Sequence, residues 1–311
     1  MIVCVTPNPA LDLSLVVTGF QTGQVFRAES SLRAAGGKGI NVARATKLLG
    51  GDATCAGFIG GHTGRLIVEL AEREGLKSSW TWIEGETRTC VIIADPHTGQ
   101  PTVINDQGPR VTEEDWKRLH THVQYAANSA NAVCFSGSLP PKPPLDSFVS
   151  LLEKLVKAQK QVWVDTSGKP LVAACAIKGV TIKANDEEIA EVAGQPIDTP
   201  ESAYAAAQHI RKRGPSRVVV TMGAQGAVLA DERGGWYAAP PHLEVISAVG
   251  SGDSFLAGMV NAFENGSSPA DALAQGVAAG AANALTVGGG QFALADYRRI
   301  LGQIHVSSLS G

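Results

Sequence analysis

Short runs of Val, Ile and Ala alternate along this chain with longer stretches of helical periodicity. The runs Ile2–Thr6, Ala53–Phe58, Ala132–Ser136, Val162–Asp165, Val180–Lys183 and Arg217–Thr221 read as strands buried on both faces. Between them, apolar residues recur at helical spacing over Ile40–Leu49, Gly64–Glu74, Glu113–Ala127, Leu145–Gln159, Asp186–Val192 and Pro200–Lys212. Such an alternation predicts βαβ units and a parallel sheet covered by helices on both sides. Two segments break the rhythm. Leu11–Leu32 and Thr87–Asp106 alternate like exposed strands, with turn signals at Thr18-Gly19 and His97-Thr98-Gly99. They are expected to join as one small sheet over the ends of the main strands. Its bare face and edges call for a cover, and a twin from a second copy of the chain supplies one. After Gly252 the helices turn rich in Ala and Gly, notably over Ser268–Leu285, which suits tight helix packing or a flat ligand.

Composition narrows the class. The chain has 311 residues, 44% apolar and 18% charged, enough for a large core and unlike a disordered segment. Its net charge is −3 with the signs mixed, and no basic tract points to nucleic acid. An anionic ligand must therefore be met by a few placed cations. Cys4, Cys55, Cys90, Cys134 and Cys175 are scattered, without a C-x-x-C pair, and read as reduced core thiols. His120 and His122 are two apart, which makes them diverge on a helix and argues against a metal site. The N-terminal run reads as a first strand and not as a leader, and no apolar run approaches the roughly 20 residues of a membrane span. The expectation is a cytoplasmic protein.

The candidate chemistry lies in loops that open helices. Gly250-Ser251-Gly252-Asp253 runs into a helix, so backbone N–H groups and the helix dipole converge on a site for an anion. Asp253 there is either a helix cap or a base for a hydroxyl attacking a phosphate. Gly36-Gly37-Lys38-Gly39-Ile40-Asn41 places a cation and an amide at another helix entry; it is neither a P-loop nor a dinucleotide fingerprint. A phosphorylated polar ligand fits it, as does a plain Gly-rich helix entry. Asp12 follows the first strand and is a sugar-hydroxyl acceptor or a turn Asp. Asn185 and Glu188, three apart at a strand end, suit hydrated Mg²⁺ or a capping box. Thr221, Gly223 and Gly226 form a strand–turn–strand that takes nucleotide phosphates or reverses the chain.

In this order, the segments resemble the PfkB (ribokinase-like) family of carbohydrate kinases over nearly the whole chain. The marks are Gly36–Ala43, Ser136-Gly137-Ser138-Leu139-Pro140, Asp165-Thr166-Ser167-Gly168, Asn185–Glu188 and Val249–Asp253. Thr6-Pro7-Asn8-Pro9-Ala10-Leu11-Asp12 points to the phosphosugar branch, which holds 1-phosphofructokinase, tagatose-6-phosphate kinase and the minor 6-phosphofructokinase. The resemblance implies a ribokinase-like three-layer α/β/α sandwich, a single kinase domain over 1–311, with a small β-sheet lid from about 12–34 and 87–107. It implies an ATP- and Mg²⁺-dependent kinase that converts a ketohexose phosphate to a bisphosphate, fructose 1-phosphate first. Tagatose 6-phosphate and fructose 6-phosphate are the alternatives, and a non-catalytic phosphosugar sensor is the rival of another class.

The same resemblance assigns roles. Asp253 is the general base, and the Gly250, Ser251 and Gly252 amides form the anion hole. Asn185 and Glu188 position Mg²⁺ through water. Lys183, Asn185, Thr221, Gly223, Gly226 and Asn283 line the nucleotide site, while Asp12, Gly37, Asn41 and Ser138 hold the sugar. Lys38 and Arg88 meet the acceptor phosphate, and Arg27 reaches it across a homodimer formed through the lid. The chain departs from the family at Thr87-Arg88-Thr89-Cys90, which lacks an Asn usual in 1-phosphofructokinases. It also carries Ala184 where most relatives have Pro, and Lys38 where the minor 6-phosphofructokinase has Gly.

Overall fold

The computed structural model describes residues 1–97 and 101–309. Its strands in chain order are β1 (Ile2–Thr6), β2 (Ala10–Val16), β3 (Ser30–Gly36), β4 (Ala53–Ile59), β5 (Lys77–Trp82), β6 (Arg88–Ala94) and β7 (Pro101–Ile104). They continue with β8 (Ala132–Ser136), β9 (Gln161–Asp165), β10 (Thr181–Asn185), β11 (Arg217–Thr221), β12 (Ala227–Asp231), β13 (Gly234–Ala238) and β14 (Val306–Leu309).

Ten of these form one sheet in the order β14-β13-β12-β11-β10-β9-β8-β1-β4-β5. From β11 to β5 every pairing is parallel, and β12, β13 and β14 extend the sheet antiparallel. Every strand expected from the hydrophobic runs is present in this sheet. The side-chain alternation of β1 shows why the runs are continuous. Val3 and Val5 enter a core with Trp116, Phe148 and Leu152 on one face, while Ile2 and Cys4 enter a second core with Ile40, Leu256 and Leu273 on the other. Both faces are covered, which yields the three-layer α/β/α sandwich with a mainly parallel sheet. All five cysteines are buried free thiols. No described helix is long and apolar enough to cross a membrane.

The small sheet forms as expected from the alternating segments, in the order β3-β2-β6-β7. It is mixed: β2 pairs antiparallel with β3 and parallel with β6, and β6 pairs antiparallel with β7. It reaches further toward the core than its polar stretches suggested, because β2 begins at Ala10 and β3 ends at Gly36. Of the turn expected at His97-Thr98-Gly99, Thr98 and Gly99 lie outside the described residues.

The Ala- and Gly-rich C-terminal third resolves into helix packing. The helices Ser251–Glu264 and Pro269–Asn283 lie so close that a methyl group at Gly258 would stand 2.6 Å from the Gln275 carbonyl oxygen. Parallel strands bring their carboxyl ends to one edge of the sheet, so Thr6, Ser136, Asp165, Asn185 and Thr221 end there together.

Candidate active site

At that edge the helix Ser251–Glu264 begins. Gly250 caps it in the left-handed conformation at φ 80°, with no side-chain cap. The first hydrogen bond of the helix runs from Ser254 N to the Gly250 carbonyl at 2.9 Å, so the N–H groups of Gly252 and Asp253 precede it at the open helix end. Ser251 N is turned back onto the Ala248 carbonyl at 3.2 Å. The anion-binding donors that this geometry offers are thus those of Gly252 and Asp253 more than that of Ser251.

Asp253 is 5% exposed. Its Oδ2 accepts a 2.8 Å hydrogen bond from the Asn41 side-chain amide. Burial raises its pKa from the ordinary 3.8 to about 6, helped by the charge of Asp165 and opposed by Lys38, the Asn41 bond and Lys183. A carboxyl held there is ionised near neutrality yet basic enough to take a proton.

The charges around it form a triad centred on the buried Asp165. Lys38 Nζ donates to Asp165 Oδ1 at 3.0 Å, and Lys183 Nζ donates to Asp165 Oδ2 at 2.9 Å. Asp165 is fully buried; burial pushes its pKa up, but the two lysines outweigh this and hold it below the ordinary value. Lys38 is raised, chiefly by the Asp165 charge. Lys183 Nζ also lies against the anion loop, where a methyl group at Gly252 would stand 2.9 Å from it. Lys38 keeps 43% of its side chain exposed, against 6% for Lys183.

Arg88 stands elsewhere, at the start of β6. Its Nη1 donates to the Asp106 carbonyl and its Nη2 to the Asn8 carbonyl, both at 2.8 Å, and its buried Nε has no partner among the described residues. Lys38 and Arg88, expected to act together, therefore hold different partners. Asp12 lies on β2 beside the Gly-Gly loop, where a methyl group at Gly36 would stand 2.2 Å from its carboxyl carbon. Burial raises its pKa to about 6 against the pull of Arg44 and Arg88. Gly37 caps the helix Lys38–Leu48 that carries Asn41. Ser138 and Arg27 are exposed.

Asn185 and Glu188 form a capping box at the start of the helix Asp186–Ala193. Asn185 Oδ1 accepts from Glu188 N at 2.7 Å, and Glu188 Oε2 accepts from Asn185 N at 3.0 Å. The box uses Glu188 Oε2 and one lone pair of Asn185 Oδ1, and leaves Glu188 Oε1 and the second lone pair of Asn185 Oδ1 to accept from metal-bound waters. That fits Mg²⁺, which keeps several waters and needs only one or two carboxylates beside phosphate oxygens. Thr221 is the neighbour of Asn185 across β10 and β11, and the turn holding Gly223 and Gly226 follows it.

Asn283, expected at the nucleotide site, is bonded within the protein. It is fully buried. Nδ2 donates to the Val249 carbonyl at 2.8 Å, and Oδ1 accepts from Ser254 Oγ and Gly290 N, both at 2.9 Å. It braces the anion loop from behind. Two further residues are prominent: Asp165, a family mark to which no role was assigned, and Arg44, which no motif singled out. Asp165 ends the apolar run Val162-Trp163-Val164, and a charge closing a buried strand is itself a signal. Arg44 follows Asn41 by three positions, on the same helix face.

Comparison with known proteins agrees with this geometry. A model of the pfkB family carbohydrate kinases matches residues 3–295. Phosphofructokinase-2 from Escherichia coli, in complex with fructose-6-phosphate, is 29% identical with a TM-score of 0.90, covering 97% of this chain and 98% of that one. The same enzyme in its tetrameric inhibited form is 30% identical over the same shares, again at 0.90. A possible 1-phosphofructokinase from Thermotoga maritima (24% identity, TM-score 0.89, all of both chains) shares the fold. So does Arabidopsis thaliana ribokinase complexed with ribose and ATP, at 22% identity and a TM-score of 0.76, with 96% of this chain and 98% of that one covered.

Proposed function

This chain belongs to the pfkB family of carbohydrate kinases, and from that premise we propose that it transfers the γ-phosphoryl group of ATP to a ketohexose phosphate. Fructose 1-phosphate, giving fructose 1,6-bisphosphate, is the first candidate acceptor. The observation that carries the reading is Asp253: a buried carboxylate raised to about 6, hydrogen-bonded by Asn41 and set at an open helix N-terminus beside two lysines.

In the proposed reaction Asp253 accepts the proton of the attacking hydroxyl. The Gly252 and Asp253 amides and Lys183 meet the charge on the phosphoryl group in flight. Asn185 and Glu188 hold Mg²⁺ through water, and the ion supplies charge neutralisation on the ATP phosphates. Lys183, Thr221, Gly223 and Gly226 border the nucleotide. Asp12, Gly37, Asn41 and Ser138 hold the sugar.

The acceptor's own phosphate is assigned to Arg88 and Lys38. The Arg88 Nε–H is a buried donor with no partner among the described residues, which supports an anion there. An ammonium group has three donors, so Lys38 keeps two after its bond to Asp165. Arg27, exposed in the loop between β2 and β3, is assigned to the same phosphate in a partner subunit. The lid's exposed Leu32, Val103 and Ile104 support a homodimer through that sheet. Residues 1–311 then act as one kinase unit, with the lid closing over the site to exclude water.

A second reading, 6-phosphofructokinase, is favoured by the fructose-6-phosphate bound in the Escherichia coli relative. ADP release measured with fructose 1-phosphate, fructose 6-phosphate and tagatose 6-phosphate, against fructose, ribose and adenosine, tests the proposal. Turnover confined to phosphorylated acceptors is expected. Equal turnover of a neutral sugar would remove the phosphate site, and no ADP release with any acceptor would leave a sensor.

A further inference from the structure

Arg44 sits one turn beyond Asn41 on the helix Lys38–Leu48, nearly buried, and its guanidinium is fully engaged. A guanidinium carries five N–H donors in a fixed plane and no acceptor. Here Nε donates to Glu74 Oε2, and Nη2 donates to Glu74 Oε1 at 3.0 Å and to the Ala35 carbonyl at 2.8 Å. Nη1 donates to the Gly289 carbonyl and to Asn41 Oδ1, each at 2.8 Å. The acceptors come from four parts of the chain: the residue before Gly36-Gly37, the helix bearing Asn41, the end of the helix Gly61–Arg73, and the loop at Gly289.

We propose that Arg44 is a positioning residue that fixes the Asn41 amide in the orientation that keeps Asp253 a base, and that locks the anion loop to the same orientation. The inference rests on the reading of Asp253 as the base. An amide has a donating end and an accepting end, and a guanidinium faces only acceptors. Arg44 therefore claims Asn41 Oδ1, and Asn41 Nδ2 has to face Asp253 Oδ2, at 2.8 Å. In the reverse orientation the amide oxygen would meet a carboxylate oxygen, and Asp253 would have to bind a proton to make that contact, ceasing to be a base.

The Gly289 contact extends the lock. A methyl group at Gly289 would stand 2.4 Å from Asn41 Nδ2, and one at Gly250 would stand 2.3 Å from Gly289 Cα. The loop that Arg44 holds by its carbonyl is thus wedged between Asn41 and the cap of the anion-binding helix. The other charged groups facing Asp253 are Lys38 from the Asn41 helix, Asp165 from the end of β9 and Lys183 from β10. None of them touches the Asn41 oxygen.

The test measures ADP release, with ATP and each of the three phosphohexoses, for Arg44→Met, Arg44→Lys, Asn41→Ala, the Arg44→Met/Asn41→Ala pair and Asp253→Asn. Arg44→Met is expected to lower kcat by about 10- to 100-fold with a much smaller change in KM, as loss of an orienting partner does. The acidic limb of its kcat/KM profile should move up by about one pH unit, because the carboxylate loses a hydrogen bond that favours its charged form. In the Asn41→Ala background the same change should cost no more than about three-fold, since one pathway is already cut. Arg44→Lys keeps the charge but cannot span Asn41 and Gly289, so it should fold like the parent and share the shifted limb; it carries the test if Arg44→Met does not fold. Full additivity with Asn41→Ala, an unmoved pH limb in either Arg44 variant, or lost stability with unchanged kcat would overturn the inference. Near-normal turnover of Asp253→Asn would instead sink the base assignment itself. An inactive Asp253→Asn beside additive Arg44 and Asn41 effects sinks only the role of Arg44.

Discussion

Replacing Asp253 with Asn should stabilise the protein. Its carboxyl is raised from 3.8 to about 6 by burial, with the Asp165 charge adding to the rise. A carboxyl whose folded pKa lies above its unfolded value costs stability at any pH where both states are ionised. The cost is complete above pH 6 and vanishes below about pH 4, where both states are protonated. About two pKa units correspond to about 3 kcal/mol. Asn keeps the size of the side chain and an oxygen to accept the 2.8 Å bond from Asn41, so the substitution removes the buried charge and little else. For a chain of 311 residues that gain corresponds to roughly 5 °C in Tm. The assay is thermal unfolding of parent and variant at equal protomer concentration across pH 4.5–8, since assembly would make Tm concentration-dependent. The variant should lead by the full amount at pH 7.5 and by about half of it near pH 5. A variant less stable than the parent at pH 7.5, or a gap that does not narrow in acid, would refute the claim that Asp253 is held against its own solvation.

Other substitutions probe the neighbouring groups. Asp165→Asn strands the ammonium of Lys183, 6% exposed, and should cost about 3–5 kcal/mol in urea unfolding; by removing a charge that raises Asp253, it should also move the acidic limb of kcat/KM downward. Arg88→Ala should raise the KM for the phosphosugar by about ten-fold to a hundred-fold, the value of one or two charge-assisted hydrogen bonds, while kcat changes less; an unchanged KM would take Arg88 out of the phosphate site. Gly250→Ala forces a side chain into a φ of 80° and against Gly289, so turnover and Tm should both fall, the backbone conformation alone costing about 1–2 kcal/mol.

The parts of the fold that were legible in the sequence are those governed by local pattern. Doubly buried strands such as Ile2–Thr6 and Arg217–Thr221 announce themselves as unbroken apolar runs. The edge strand Lys77–Trp82 did not, because its Lys-Ser-Ser start is polar and only Trp80 and Thr81 are buried. Val306–Leu309 did not either, being a short polar strand fixed by its pairing with Gly234–Ala238. The loops of the site were legible because glycines and a charged residue beside a helix start are local signals. Arg44 was not, because its partners lie as far away as Glu74 and Gly289, and no spacing rule links them. The bonds of Asn283 were not legible for the same reason: the fold turns it inward to tie the Val249 and Gly290–Gln291 loop segments to Ser254.

The measurement that tests the account most directly is the turnover of Asp253→Asn with ATP and saturating phosphohexose, paired with a binding titration of the same sugar. If Asp253 takes the hydroxyl proton, kcat should fall by about three orders of magnitude or more, in the upper range of general-base effects, while sugar affinity stays within a few-fold. Turnover within ten-fold of the parent would show that the buried carboxylate at the mouth of this helix is not the base.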